Sequence, residues 1–178
     1  MAFLFRSNPT RDAAELAFQR VVEQARRQVF YSDLRVPDTL DGRFELLCLH
    51  AFLYLHRLKA ERPESARLAQ LFFDRMFSDL DRALRDMGTG DTRLGKEMQR
   101  MAQAFYGRIR AYDEGLDGGD AVLREALARN LFGTKPAAAA PLAAVADYVR
   151  RQADRLRRQA AAELLAGRVV FDAPAVVG

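Results

Sequence analysis

Two histidines, one cysteine and a glycine-framed lysine are the residues of this chain whose types and spacing could do chemistry. Residues 90–96, GDTRLGK, repeat the opening of a phosphate-binding loop: Gly, four residues, Gly, Lys. Such a loop needs a preceding strand, and a hydroxyl after the lysine to hold magnesium. Here Glu97 follows Lys96, and a helical pattern precedes it, so the segment reads as a turn between helices. His50 and His56 stand about 240° apart on a helix, so one face cannot present both to a metal. No other histidine completes a site, and no pattern supports a single axial haem ligand. Cys48 cannot form an internal disulfide. It lies in an apolar segment, where burial raises a thiol pKa and suppresses the thiolate. No serine or cysteine sits in a turn with a base and an orienting group. No catalytic site, metal or cofactor is expected.

The element that carries both histidines and the cysteine dominates the chain. Residues 36–59 read VPDTLDGRFELLCLHAFLYLHRLK: a helix-starting turn, then apolar residues on nearly every side of a helical wheel. Such a helix must be surrounded by others. It is too short, and too interrupted by Glu45, His50, His56 and Arg57, to span a bilayer, which takes ~20 mostly apolar residues.

Around it the sequence predicts an all-α, single-domain bundle of about six helices. The first carries the capping-box spacing of Asp12 and Glu15 and an apolar stripe of Ala14, Phe18, Val21, Val22, Ala25 and Val29. The second starts near Thr39 or Asp41 and ends near Lys59. The third runs from about Pro63 to Met87, with Gly88 just past its end. Asp91 caps a fourth helix with a core stripe of Leu94, Met98, Met101, Phe105, Ile109 and Tyr112. Gly118 and Gly119 break it, and Asp120 caps a fifth that runs to Asn130 and stops at Gly133. Residues 133–140, GTKPAAAA, read as a linker. A sixth, basic helix spans about 141–166, and after Gly167 a short extended stretch at 169–171 leads to a loose end.

The charged faces admit ordinary readings. Asp74, Asp79, Asp81 and Asp86 alternate with Arg75, Arg82 and Arg85 at spacings that let charges pair across a turn. The glycine turn after Met87 resembles a helix-turn-helix, but Met98, Met101 and Phe105 fill the inward stripe of its second helix and Glu97 sits outward, so DNA binding is not expected. The apolar side of the basic sixth helix is mostly alanine, too thin to insert strongly into a membrane. Packing is its expected role, with electrostatic contact as an addition.

Composition agrees with a folded domain: 178 residues, 49% hydrophobic, 29% charged, with a formal charge of only +4. That balance permits contact with RNA or anionic lipid without requiring it. The first residues, MAFLFRSNPTRD, are too short an apolar stretch for a secretory signal, so a cytoplasmic location is expected.

Taken in order, these segments resemble the ubiquinol–cytochrome c chaperone family. The matching pieces are residues 36–59, residues 71–112 (LFFDRMFSDLDRALRDMGTGDTRLGKEMQRMAQAFYGRIRAY) and, more weakly, 126–133 (ALARNLFG). The combination of DGRFE, LHxFL, MFSDLDRAL and FYGRxxAY is specific, and RDMG stands where the family pattern favours REMG. The resemblance covers about residues 30–133. It implies a non-enzymatic assembly chaperone for cytochrome b of the bc1 complex, peripheral at most on the cytoplasmic face of the inner membrane. The implied partners are cytochrome b or an early bc1 assembly intermediate, with a ribosome or small partner protein as in mitochondrial members. Such a client needs an apolar groove with polar rims. Methionines 76, 87, 98 and 101 cluster on the third and fourth helices and suit varied apolar surfaces. The expected client-binding set is Asp41, Arg43, Glu45, Asp74, Phe77, Asp81, Arg85, Lys96, Met101, Tyr106, Arg108 and Tyr112. The alternatives are a lipid- or tetrapyrrole-binding helical protein or small enzyme, which would show an enclosed pocket, and a dimerising bundle with a symmetric interface.

Overall fold

The computed structural model describes residues 8–133 and 137–174. Among them the backbone forms eight helices and no strand: α1 (Pro9–Ala25), α2 (Val29–Ser32), α3 (Leu40–Lys59), α4 (Ala66–Asp86), α5 (Asp91–Gly118), α6 (Asp120–Asn130), α7 (Ala139–Arg158) and α8 (Ala161–Leu165). The all-α reading holds, with six long helices; α2 and α8, of 4 and 5 residues, are additions.

α3 is the axis of the bundle. The Thr39 hydroxyl accepts the Gly42 amide at 3.1 Å and starts the helix. Gly42 is required there, because a Cβ would sit 1.9 Å from the Pro37 carbonyl oxygen. Every residue of 48–54 is buried, and α1, α4, α5 and α7 pack around the helix. Phe44, Leu47 and Leu55 on the same helix are only half-buried. The core that results is one cluster reaching from Ala13 to Val169.

Several boundaries differ from the sequence reading. α1 starts at Pro9, because the Asn8 side chain accepts the amides of Thr10 and Arg11 at 3.2 and 3.3 Å. Asp12 is then not a cap but a first-turn acid that complements the helix dipole. Val29 belongs to α2. The N-caps of α5 and α6 are Gly90 and Gly119, which make Asp91 and Asp120 first helical residues. The predicted basic helix divides in two: Gln159 (ψ 137°) and Ala160 (ψ 134°) leave helical geometry between α7 and α8. In the predicted linker, residues 134–136 lie outside those described.

The segment after α8 is not loose as far as Pro174. Gly167, at φ +78°, lets the chain pass α1 where a Cβ would meet the Ala13 carbonyl oxygen at 2.1 Å. Val169 is buried, and the Phe171 ring stands edge-on to His50 at 5.4 Å. Side chains of α7 satisfy the strap's backbone: Gln152 accepts the Asp172 amide (2.8 Å) and Arg155 donates to the Val170 carbonyl (3.1 Å).

Beneath that strap lies a polar chain in an apolar core. His50 Nδ1 is 2.7 Å from the Leu46 carbonyl, which can only accept, so Nδ1 carries the proton. Nε2 is then an acceptor for the Tyr148 hydroxyl at 2.8 Å, and Tyr148 in turn accepts from Gln24 Nε2 at 2.8 Å. Burial pushes the His50 pKa down to about 4, which holds the ring neutral. His50 is thus a satisfied core histidine. His56 is elsewhere, its Nδ1 2.7 Å from Asp113, whose other oxygen accepts from Lys59 at 2.6 Å.

Candidate functional site: an open apolar groove

The other side of α3 is not sealed. Where the end of α1, α2, the first turns of α3 and the last turns of α4 meet, they leave a cleft of about 780 Å³. α4 supplies one wall because its apolar residues recur at helical spacing: Phe73, Phe77, Leu80, Leu84 and Met87 fall within roughly 80° of one side. The first two pack on Phe105 of α5, and the last three line the cleft. α3 supplies the opposite wall with Leu40, Phe44 and Leu47, α1 adds Val22 and Ala25, and Met101 of α5 closes the floor. Leu40 is 63% and Met87 52% exposed, among the most exposed large apolar residues described. Polar groups stand at the rim: Arg26, Tyr31, Asp79, and Arg43 paired with Asp38 at 2.8 Å. The wall is braced from behind by Arg75, which binds Glu15 of α1 and lies over the Phe18 ring at 4.5 Å.

A smaller cleft of about 330 Å³ continues the groove, sharing Leu40, Phe44, Leu84 and Met101. Its lining is charged, with Asp41, Glu45, Glu97, Arg100, Arg108 and Arg129. Glu45 is nearly buried and ion-paired with Arg108, which also donates to the Ala104 carbonyl at 2.9 Å. Burial holds the Glu45 carboxyl above its usual range against the pull of that guanidinium, and the pair raises Arg108.

The expected site residues fall into separate places. Arg43 and Met101 line the main groove, and Met101 with Asp41, Glu45 and Arg108 lines the smaller cleft. Phe77 stacks on Phe73 at 4.4 Å, and Phe73 on the 59%-exposed Tyr106 at 5.7 Å, an aromatic ladder one step along α4 from the groove. Asp74 on the outer side of α4 accepts from Gln70 at 2.7 Å. Arg85 joins Asp81 and Asp91, each at 2.8 Å, and Lys96 is exposed on α5. Tyr112 is a correction: it is fully buried against Phe52 at 5.5 Å, so a client has no access to it. Met76 is likewise core. Leu40, Phe44, Leu80 and Leu84 form most of the groove and were absent from the expected set. The signal that could have found them is the α4 stripe, which runs on past Phe77 to the exposed Met87.

With this geometry in view, comparison with known proteins places the chain. The model of the family described as ubiquinol–cytochrome C chaperone matches residues 32–171. The chain belongs to the ubiquinol–cytochrome c chaperone family. The match extends beyond the stretch that carries the motifs and takes in α7, α8 and most of the strap. The chain is 30% identical over 151 residues to ubiquinol-cytochrome-c reductase complex assembly factor 1 of Xenopus laevis, covering 84% of this chain and 76% of the relative. It is 32% identical to the yeast mitochondrial protein CBP3 from Saccharomyces cerevisiae over 83% of this chain and 45% of that protein. It spans about half the length of the mouse relative (52%). The crystal structure of the Cbp3 homolog from Brucella abortus superposes with a TM-score of 0.83 at 37% identity, over 93% of this chain and 91% of that one. Among the described residues, no helix is long and apolar enough to cross a membrane.

Proposed function

We propose that the protein is an assembly chaperone for the bc1 complex (complex III) that holds an apolar segment of newly made cytochrome b in the groove between α1, α3 and α4. Family membership supports the assembly role, since several relatives are named as assembly factors of ubiquinol–cytochrome c reductase. The observation that carries the client reading is the open groove, with Leu40 and Met87 held in solvent above an apolar floor. A groove of this shape takes an apolar helix along its length, and the half-buried Met101 adapts to its side chains. An enclosed pocket would have favoured a carrier of lipid or tetrapyrrole instead. On this reading the protein acts by binding, as an assembly-factor family implies; its one thiol is buried, with its pKa pushed well above the ordinary value, so Cys48 is not a nucleophile. It works in the cytoplasm or peripherally on the inner membrane, where cytochrome b is inserted.

Deletion of the gene, followed by a haem-b spectrum and an immunoblot of cytochrome b, tests the assembly role. Loss of both signals is expected, and normal bc1 levels would overturn it. Co-purification of tagged protein with cytochrome b tests the client.

A further inference from the structure

The C-terminal strap is gripped along its main chain by side chains, and the pattern of that grip describes a site for an extended peptide. Gln152 and Arg155 of α7 and Gln159 at its C-cap stand at spacings of three and four and so share one face. They reach alternate residues of the strap. Gln159 accepts the Val170 amide at 3.2 Å and donates to the Arg168 carbonyl. Arg155 donates to the Val170 carbonyl at 3.1 Å, and Gln152 accepts the Asp172 amide at 2.8 Å. From α1, Gln24 donates to the Asp172 carbonyl at 2.7 Å. The bonds thus fall at residues 168, 170 and 172, which are exposed, whereas Val169 is buried and Phe171 half-buried against His50. That is the two-residue alternation of an extended chain. Main-chain bonds of this kind give affinity, and the alternate inward side chains give selectivity.

The strap is seated without being locked. The bonds from Arg155 and Gln159 lie at the surface, where water can replace them. The buried Gln152 Nε2 has no acceptor among the described residues, so the strap leaves one donor of its own site unpaired. Of residues 168–174 only Val169 and Pro174 are buried. A segment with few buried apolar contacts and surface hydrogen bonds opens locally before the molecule unfolds.

We propose that the strap is an exchangeable occupant of a peptide site between α1 and α7, and that an extended segment of a partner protein, with the pattern apolar residue, any residue, aromatic residue, takes its place. The partner segment is extended because a helix spends on itself the amides and carbonyls that Gln152, Arg155 and Gln159 bind. The site lies across α3 from the groove and is independent of any client held there.

The test adds a fluorescent peptide of residues 166–174, AGRVVFDAP, to the full chain and reads binding by anisotropy and native mass spectrometry. The wild type should bind weakly, because its own strap competes at a high effective concentration. Phe171→Ala in the protein weakens that competitor and should tighten peptide binding about tenfold, to one per chain. A control peptide with Val170 and Phe171 exchanged turns the aromatic ring outward and should bind at least about tenfold more weakly. Adding Arg155→Ala to the Phe171→Ala protein should weaken binding several-fold, since a bond to the Val170 carbonyl and the ion pair with Asp172 are both lost. Equal binding by wild type and Phe171→Ala, equal binding of the two peptides, indifference to Arg155 or no binding would each overturn the proposal. A wild-type dimer in light scattering that dissociates on adding peptide would overturn it in favour of strap exchange between copies. Hydrogen exchange on the wild type decides the matter even if Phe171→Ala fails to fold. The Val170 and Asp172 amides should exchange well ahead of those in the middle of α3, and exchange of all of them at one common rate would overturn the proposal.

Discussion

The two sides of α3 treat residues in opposite ways. On one, a histidine is sealed under α7 and the C-terminal strap, with each ring nitrogen given a partner. On the other, Leu40 stands in solvent and Phe44 and Leu47 are half-covered. Hydrophobicity alone would arrange them the other way round. A buried polar group is tolerable when every donor and acceptor is satisfied, and the Gln24–Tyr148–His50–Leu46 chain achieves that. An exposed apolar surface costs stability with no such internal remedy, and a contiguous patch of it is the usual mark of a binding site. The sealed side therefore reports on folding, and the open side is where the client reading proposed above is tested.

The largest effect that separates the two sides is a truncation on each. Phe52 is fully buried against Tyr112 and His56, and Phe52→Ala should cost about 3–5 kcal/mol. Leu47 lines the groove, and Leu47→Ala should cost roughly 1 kcal/mol, since less of its side chain leaves water on folding. Urea midpoints of both variants measure the contrast. Equal losses would mean that the groove side is as tightly packed as the core.

Next in size is acid sensitivity on the sealed side. With a folded pKa of about 4 against an ordinary value of 6.5, His50 is neutral in both states at pH 7. Below about pH 6.5 the unfolded chain takes up the proton while the folded chain does not, so stability falls with pH until the folded ring titrates near pH 4. The loss across that window is on the order of 3 kcal/mol. Glu15, Asp113, Glu97 and Glu163, whose pKa values are lowered by their cationic partners, remove stability only further down, as they protonate. Glu45, raised by burial, has the opposite sign: protonation favours the folded state as pH falls through its range. Unfolding curves at several pH values, compared with His50→Gln, should show a slope between pH 6.5 and 4 that the variant lacks. A slope shared by both would assign it to the carboxylates.

How far this division was legible in the sequence differs between the two sides. The all-round apolar character of residues 44–58 placed α3 at the centre, and helical spacing placed Phe105 and Tyr112 in the core stripe of α5. The same spacing contradicted the assignment of Tyr112 to a client surface. Tyr112 falls within about 20° of the buried Phe105 on the helix wheel, whereas Tyr106 lies roughly 120° from Tyr112, so the stripe itself marked Tyr112 as core. The end of α7 was not legible, because apolar residues keep helical register through Ala160 to Leu164 although the backbone turns extended at Gln159. Asn8 was missed as a cap because Asp12 and Glu15 imitate a capping box in the middle of the first turns. The groove was only half legible. A helix wheel says that Leu40, Phe44 and Leu84 are apolar, but whether a neighbour covers them depends on where α2 stops and α5 starts.

A smaller effect is expected on the outer side of α4. Arg85 there joins Asp81 and Asp91 in solvent. Removing the pair by Asp81→Ala with Arg85→Ala should cost under ~1 kcal/mol, the usual worth of exposed ion pairs. If cytochrome b is recovered equally with this variant and with wild type, the pair lies outside the client surface. Reduced recovery with an unchanged melting temperature would extend that surface from the groove to the back of α4.

The smallest stability change should accompany the largest loss of function. Leu40→Glu with Met87→Glu places two carboxylates on residues that are already more than half exposed in the folded chain, so folding neither buries a new charge nor loses core contact. Changes at such positions usually stay within about ±0.5 kcal/mol, and the melting temperature should barely move. An apolar client helix in the groove would have to desolvate both carboxylates, which costs several kcal/mol per unpaired charge in such surroundings. Capture of cytochrome b should therefore disappear while the fold persists. Two results would break the comparison between the sides of α3: full capture by the variant would show that the exposed leucine and methionine serve no client, and a large drop in melting temperature would show that the open side is held together as the sealed one is.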